Sequence, residues 1–318
     1  MEHDSSPKVS VLMITYNHER FIAKAVESAL MQETHFDYEI VIGEDCSTDA
    51  TREILLEYRK RHPEKIRLLL HDQNLGLGGK KNLAVTLRNC RGQYVAMLEG
   101  DDYWTSPVKL QQQACFLDGH PGYAGCFHPV RYVDDQDRLL EEHPVVNLGK
   151  ETVALEDLLR GNPISTCSVM FRRGLIQELP AWYFESTLGD WPLHMLNARH
   201  GLIGYINEEM GAYRTHDTGI WSVLSEIERI PQAIKVLQSV DAHFNFEYRK
   251  IIRDAISGWY LRLAVAGARN GNWRLALGSA LRGLKQSPFT SYKSKIWMTL
   301  KLLEISLTPQ PKSGAASK

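Results

Sequence analysis

The chain has no C-x-x-C pair, and its five cysteines (Cys46, Cys90, Cys115, Cys126, Cys167) stand singly and are odd in number. That usage supports neither a disulfide frame nor a zinc site and favours a reducing compartment. No apolar run approaches the ~20 residues needed to cross a bilayer. Met1-Glu2-His3-Asp4 lacks the basic and apolar regions of a signal peptide. The expectation is a cytoplasmic protein. An excess of one charge is missing too: 37 basic against 38 acidic residues leave a net charge of -1. No global field then gathers nucleic acid or acidic lipid, and no nucleic-acid partner is expected. With 318 residues, 43% hydrophobic and 24% charged, the chain suits a large cored domain plus an appendage, or two domains.

Over residues 1–120 short apolar runs alternate with helical patterns. Residues 9–14, 38–42, 66–70 and 93–98 read as strands, and 21–30, 50–61 and 80–90 as helices. That alternation implies right-handed βαβ units and a mostly parallel sheet buried on both faces. Ligands of such sheets sit beyond the carboxyl ends of the strands. After Pro121 the pattern changes. Strands over 123–133 lead to a polar turn at 134–138, then a helix over 153–160, a strand over 165–171 and a helix over 191–199. Beyond Trp221 only helical periodicity remains, to about Leu307, followed by a short polar tail.

Each strand end in the first part is polar. Thr15-Tyr16-Asn17 follows the first, Glu44-Asp45-Cys46-Ser47-Thr48-Asp49 the second, and the Gly-rich stretch Gly76 to Asn82 the third. The fourth ends in Glu99-Gly100-Asp101-Asp102. Singly, each reads as turn chemistry: Ser47, Thr48 and Asp49 are natural N-caps, and Asp101 and Asp102 suit the turn before Trp104. Together on one side of one sheet they argue for a single crevice. Three carboxylates this close resist ionising together. A divalent cation is their natural partner, because magnesium takes one or two carboxylates, several waters and the oxygens of a diphosphate. It would neutralise charge on a diphosphate leaving group.

The stretches "VSVLMITYNHERFIAKAVESALMQ", "YEIVIGEDCSTDAT", "NLGLGGKKNLAV" and "GQYVAMLEGDDYW" together resemble the family 2 glycosyltransferases, in an ordered match over roughly residues 8–217. The resemblance implies the α/β GT-A nucleotide-sugar fold with a mostly parallel mixed sheet, here followed by an all-helical region. It implies Mg2+ or Mn2+, a nucleotide-sugar donor (a UDP-sugar favoured) and a sugar or glycolipid acceptor, in cell-surface polysaccharide or glycoconjugate synthesis. Carried over by position, Thr15, Tyr16 and Asn17 line the base and ribose pocket, and Asp45 accepts a hydrogen bond from the base. Asn82 with Lys80 or Lys81 lies near ribose and diphosphate. Asp101 contacts the ribose, and Asp102 ligates the metal. Within "LGDWPLHMLNARHGLIGYINEEMGAYRTH", Asp190 falls on the general base of an inverting transferase; as a residue it also reads as the N-cap of a helix opening Trp191-Pro192. His216 in "YRTHDTG" meets the metal or diphosphate, or serves as a structural hydrogen-bonder.

This chain departs from the family pattern at two places, Glu99 where Asp is usual and Gly189 where an acid precedes the base. Without Q-x-x-R-W or membrane spans, it resembles the non-processive members. Trp104, Trp191 and Trp221 read either as acceptor-stacking residues or as core. Of the alternatives, a nucleotidyltransferase needs a Gly-rich basic loop after the first strand, which "TYNHERF" is not. A non-catalytic scaffold is disfavoured by intact Asp45, Asp101, Asp102 and Asp190. The division expected is a catalytic domain over 1–221 and a helical region over 222–318. In the latter, Leu263, Ala264, Ala276, Gly283 and Pro288 have the spacing of a tetratricopeptide-like helix pair. A further helix over 291–307, apolar almost all round, suits packing within the chain, a homo-oligomer contact or a peripheral membrane contact.

Overall fold

The computed structural model describes residues 6–141, 148–217, 219 and 224–287. The chain divides into two compact units after residue 223. Trp221, Pro288, the expected helix over 291–307 and the polar tail lie outside the described residues.

The first unit opens as its apolar runs require: β1 (Val9–Thr15), α1 (Ile22–Leu30), β2 (Tyr38–Glu44), α2 (Thr51–Arg61), β3 (Ile66–Leu70), α3 (Lys80–Asn89) and β4 (Tyr94–Glu99). Then come β5 (Tyr103–Trp104), α4 (Lys109–Gly119), β6 (Tyr123–Phe127), β7 (Val130–Val133), β8 (Thr152–Val153) and α5 (Leu155–Leu158). A single 3-10 turn at Thr166–Ser168 precedes β9 (Met170–Arg172), α6 (Ala181–Glu185), α7 (Asp190–Ala198), β10 (Leu202–Tyr205) and β11 (Gly211–Arg214).

Eight strands form one sheet in the order β3-β2-β1-β4-β9-β6-β10-β8. The β3-β2-β1-β4 half is parallel; β9 runs antiparallel to both β4 and β6, which makes the sheet mixed. β2 is buried along its whole length, as helix-covered parallel strands are. The core gathers Val11, Met13, Ile40, Ile42, Ala96 and Leu98 with Ile22 and Val26 of α1 and Leu110 and Leu117 of α4. At the amino ends of the strands, the buried Glu39 accepts from Ser10 Oγ (2.7 Å), the Arg91 amide (2.8 Å) and Arg67 Nη1 (3.0 Å). One carboxylate thereby joins β1, β2, β3 and the turn before β4.

The second part of the unit differs from its sequence pattern. β6 and β7 do not pair with each other: β7 joins a three-stranded sheet, β5-β11-β7, and beyond the polar turn a bridge from Val133 to Leu139 is all that forms among the described residues. The helix expected over 153–160 shortens to α5, and the strand over 165–171 to β9 behind its turn. Tertiary pairing overrides local propensity there.

The second unit is helical: α8 (Glu226–His243), α9 (Arg249–Arg269) and α10 (Trp273–Gln286). A capping box between Ser225 and Glu228 opens α8. α9 and α10 turn at Asn270-Gly271-Asn272, where Gly271 has φ 71° and the Asn272 side chain accepts from the Leu275 amide at 3.0 Å. The two helices run antiparallel in close contact. A Cβ on Gly267 would lie 3.1 Å from Ala276 N, and one on Gly283 3.0 Å from Leu261 Cδ2. Ser257 Oγ donates to the Gly283 carbonyl at 2.8 Å. Among the described residues no helix is long and apolar enough to cross a membrane.

Candidate active site

The parallel half of the sheet brings its polar strand ends to one edge, with Thr15 beside Glu44, Ile14 beside Glu99 and Glu44 beside Leu70. The loops after β1 and β2 clasp each other. Asn17, at φ 55°, accepts the Thr48 amide (2.8 Å), while its own amide donates to Ser47 Oγ (3.0 Å). Glu19 and Asp49 trade backbone amides in the same way: the Glu19 amide donates to Asp49 (3.0 Å), and Glu19 accepts from Ala50 (3.0 Å). Asp45 is buried and ties in the Gly-rich loop by accepting the Leu75 amide at 2.8 Å. Of the three residues expected to line the base pocket, Tyr16 surfaces, Thr15 lies buried beneath the acidic loop, and Asn17 holds the clasp.

The acidic loop follows β4. Glu99, Asp101 and Asp102 each present an oxygen within 4.8 Å of the others, a spacing that can hold a metal ion. Their surroundings make them unequal. Burial pushes the Glu99 carboxyl well up, and the charges of Asp101, Asp102 and Asp190 push the same way. Burial and the Asp101 charge likewise raise Asp102. Asp101 shifts the other way: burial works against its charge, but His18 and His216 outweigh burial and hold it below the usual range. His216 Nε2 sits 3.0 Å and His18 Nε2 3.8 Å from Asp101 Oδ2.

Asp102 turns inward. Its Oδ1 accepts the Arg214 amide at 2.8 Å, and its buried Oδ2 has no hydrogen-bond partner among the described residues. Thr15 Oγ1 and His18 Nδ1, against Gly100 of the same loop, are unpartnered as well. Unsatisfied oxygens beside three carboxylates and a histidine suit a hard divalent cation.

β11 delivers Arg214 and His216 to this loop. Arg214 is buried under the rings of Phe21 and Tyr103. Its guanidinium donates to the Asp101 carbonyl (2.8 Å), the Asp134 carbonyl (3.0 Å) and the Asp137 carboxylate (2.7 Å). It is therefore a brace for the acids, and sequence reasoning passed over it. The only signal was its place two residues before His216.

Asp190 stands at the opening of α7. The helix starts one residue earlier than its pattern implies: Gly189 is the N-cap, Asp190 the first residue and Pro192 the third. Burial raises the Asp190 carboxyl above its ordinary 3.8, against hydrogen bonds that lower it, one of them from Asn162 Nδ2 at 3.1 Å. Asn162 was also missed; a polar loop residue carries no mark of the partner it will meet.

Asn82 and Lys80, expected near ribose and diphosphate, lie inside the unit, and of the two readings of Trp104 and Trp191 the structure takes the core one. Asn82 is fully buried and brackets β2 to α3: its Nδ2 donates to the Gly43 carbonyl (2.8 Å) and its Oδ1 meets His71 Nε2 (3.0 Å). Lys80 is also buried; its ammonium donates to the Ser186 carbonyl, and its stem lies under Gly189. Lys80 thus supports the loop that carries Asp190 and does not reach out from the helix. Trp104 and Trp191 are core, their indoles donating to the Cys167 (2.7 Å) and Leu158 (2.8 Å) carbonyls.

Known proteins resemble this chain in sequence and in fold. The sequence model of "Glycosyl transferase family 2" matches residues 10–179. An uncharacterized protein of Mycobacterium tuberculosis is 35% identical over 262 residues, covering 80% of this chain and 74% of its own length. A Bacillus subtilis protein named as a teichuronic acid biosynthesis glycosyltransferase, TuaG, is 31% identical over 242 residues, 70% of this chain and 90% of its own. Among solved structures, Staphylococcus aureus TarS 1-349 superposes with a TM-score of 0.64 at 19% identity, covering 94% of this chain and 88% of that one. The mannosyltransferase PcManGT of Pyrobaculum calidifontis, in complex with GDP-Man and Mn2+, reaches 0.55 at 16% identity, covering 95% and 87%. At such identities the structural likeness speaks for the fold, which is GT-A. The sequence match spans more than half of the chain and runs through the acidic loop after β4, so this protein belongs to glycosyl transferase family 2, with a helical C-terminal region.

Proposed function

We propose that this protein moves one sugar from a nucleoside-diphosphate sugar, a UDP-sugar by preference, to a hydroxyl of a sugar or glycolipid acceptor, with inversion at the anomeric carbon. The observation that carries this reading is the meeting of Glu99, Asp101 and Asp102 at the end of β4, close enough to Asp190 for its charge to press on Glu99. Asp190 takes the proton of the acceptor hydroxyl as that oxygen attacks. Burial supports this role, since a raised carboxylate is a stronger base. Asn162 Nδ2 donates to Asp190 Oδ2 at 3.1 Å and orients the carboxylate. Asp101, with His216 beside it, Glu99 and the unpartnered oxygen of Asp102, would hold Mg2+ or Mn2+. When bound, that ion supplies positive charge for the diphosphate leaving group.

Tyr16 and Asp45 are assigned to the base. A carboxylate pairs with uracil N3–H or guanine N1–H alike, so Asp45 by itself does not choose between them. The preference for uridine rests on TarS, whose structures include complexes with UDP and with UDP-GlcNAc. The product assigned is a cell-surface polymer or glycoconjugate, in line with the name of TuaG. Catalysis is assigned to residues 1–221, and 222–318 is read as a helical region for packing within the chain, a homo-oligomer contact or a peripheral membrane contact. All five cysteines are free thiols, which suits action in the cytoplasm.

The test is a melting-point panel of UDP and GDP with and without Mn2+, since a ligand that binds only the folded state raises the melting temperature. A metal-dependent shift with UDP, lost in Asp101→Asn, is expected, together with UDP release from a UDP-sugar. No shift with either nucleotide and no release of UDP or GDP from their sugars would overturn the reading.

A further inference from the structure

The outer face of α10 carries an apolar stripe. Trp273 is 43% exposed, Leu277 64%, Leu281 68% and Leu284 38%. Their spacing puts them on one side of the helix, while Ala276, Ser279 and Gly283 on the other side bury against α9. Scattered exposed leucines need no explanation, but a contiguous stripe does. α8, α9 and α10 pack in succession, so α10 is the last described layer of a stacked array. Such arrays require a covered or polar outer face.

The sequence supplies a cover at once. Within residues 288–318, Tyr292, Ile296, Leu300, Leu303 and Leu307 fall on one helical stripe, and Met298, Leu302 and Ile305 on the remaining face. Only Ser287, Pro288, Phe289 and Thr290 intervene after the end of α10, a tether that spans about 14 Å at most. That reaches the 8–10 Å between packed helix axes with only a few ångströms to spare, about 4–6 Å. Ser287 anchors the exit, its hydroxyl donating to Asp254 on α9 at 2.5 Å. A helix over 291–307 would be about 25 Å long, against about 21 Å for α10, so the lengths match. Two apolar faces on so short a tether meet at an effective concentration on the order of millimolar, ahead of any separate partner in dilute solution.

We propose that residues 291–307 form a helix that docks antiparallel on the Trp273–Leu277–Leu281–Leu284 face of α10. Counting back from the turn, Ile296 meets Leu281 and Leu300 meets Leu277. Arg274, Arg282 and Lys285 flank the stripe, and Lys293, Lys295 and Lys301 lie in the segment. These basic flanks make an anionic bilayer the rival occupant, and a second copy of the chain is the other.

The full-length chain carries the test. In a Cys115→Ser background, Leu281→Cys with Ile296→Cys is oxidised gently over a hundredfold range of protein concentration. A disulfide within one chain, formed equally at every dilution, is expected. In parallel, hydrogen exchange across 291–307 should be slowed by about tenfold or more in the native chain and approach the unstructured rate in Leu277→Asp/Leu281→Asp. Both substituted leucines are largely exposed, so α8 and α9 should keep their protection. A disulfide only between chains would assign the face to a second copy. Protection that appears only with anionic phospholipid vesicles would assign it to a membrane. Absence of protection in both conditions would also overturn the proposal.

Discussion

Gly100 separates Glu99 from Asp101, and one added methyl there tests whether the acidic loop and the end of β1 are built against each other. A Cβ at this position would lie 2.6 Å from Thr15 Oγ1, 2.8 Å from Thr15 Cβ and 2.9 Å from His18 Nδ1. Carbon contacts are comfortable at about 3.5–4.0 Å, so the overlap with the Thr15 methine is roughly 1 Å. Neither side can yield easily. Thr15 is buried in a strand paired on both flanks, and the Gly100 amide is held by the Ile14 carbonyl at 3.0 Å. Overpacking of this kind costs about 1–3 kcal/mol. For a unit of this size each kcal/mol lowers the melting temperature by roughly 2–4 °C. The loss in turnover should be larger, because a displacement of about 1 Å at positioned groups costs on the order of 10²-fold. Gly92→Ala is the matched control: its Cβ would lie 2.4 Å from Ser10 N, at the opposite end of the same strands. Both variants should melt lower, but below either melting temperature only Gly100→Ala should lose kcat/KM for sugar transfer. Wild-type turnover in Gly100→Ala, or an equal loss in Gly92→Ala, would refute the reasoning.

Three further outcomes follow from buried charges. Asp190→Asn should bind donor normally yet transfer sugar about 10²–10⁴-fold more slowly. Because burial raises Asp190 above 3.8, the wild-type rate should fall at acid pH through that raised value, and the pH profile of the Asn variant should lack this limb. At Glu39, burial alone would raise the carboxyl, but Ser10, Arg91 and Arg67 outweigh it and hold it low. Its contribution is present above the ordinary 4.5 and is lost as pH falls through the depressed value. Glu39→Gln should therefore destabilise by about 1–3 kcal/mol at pH 7, with the gap in denaturant midpoints closing as pH falls below 4.5 and through the depressed value; a gap independent of pH would sink this account. Lys109 is buried with its ammonium 3.8 Å over the Trp104 ring, and burial pushes it down to about 7 from 10.5. The unfolded chain takes up that proton first, so the penalty grows as pH falls from about 10.5 to 7. Lys109→Met should raise stability at pH 7 by on the order of 1–4 kcal/mol, by analogy with buried ionic groups replaced by apolar ones. The gain should shrink by pH 10, and a lower melting temperature at pH 7 would contradict it.

How legible each part was depended on how local its cause is. The strands and helices up to Glu99 follow from apolar runs long enough to show their period, and their ends fell within a residue or two. Residues 123–172 were read less well. There β6 and β7 part into different sheets, and β9 inserts antiparallel between β4 and β6, choices made by distant strands. In the site, the motif segments singled out the acidic loop, whose three carboxylates the structure brings together. Lys80 and Asn82 looked like ligands because they are polar and follow a Gly-rich loop, yet both point into the body of the unit.

By itself the sequence determined that four polar strand ends share one sheet edge, that three acids crowd the end of β4, and that the chain carries the pattern of its family. Only the tertiary structure decided how those acids divide their roles. Asp102 takes the amide of Arg214, 112 residues away, and turns inward. His18 and His216 arrive from opposite ends of the unit and hold the Asp101 carboxyl low, while burial and the neighbouring like charges push that of Glu99 up. Ionisation and hydrogen bonding depend on desolvation and on the nearest charges. Those neighbours come from sites far apart along the chain, so a motif can name the groups, but only the folded chain sets their charge.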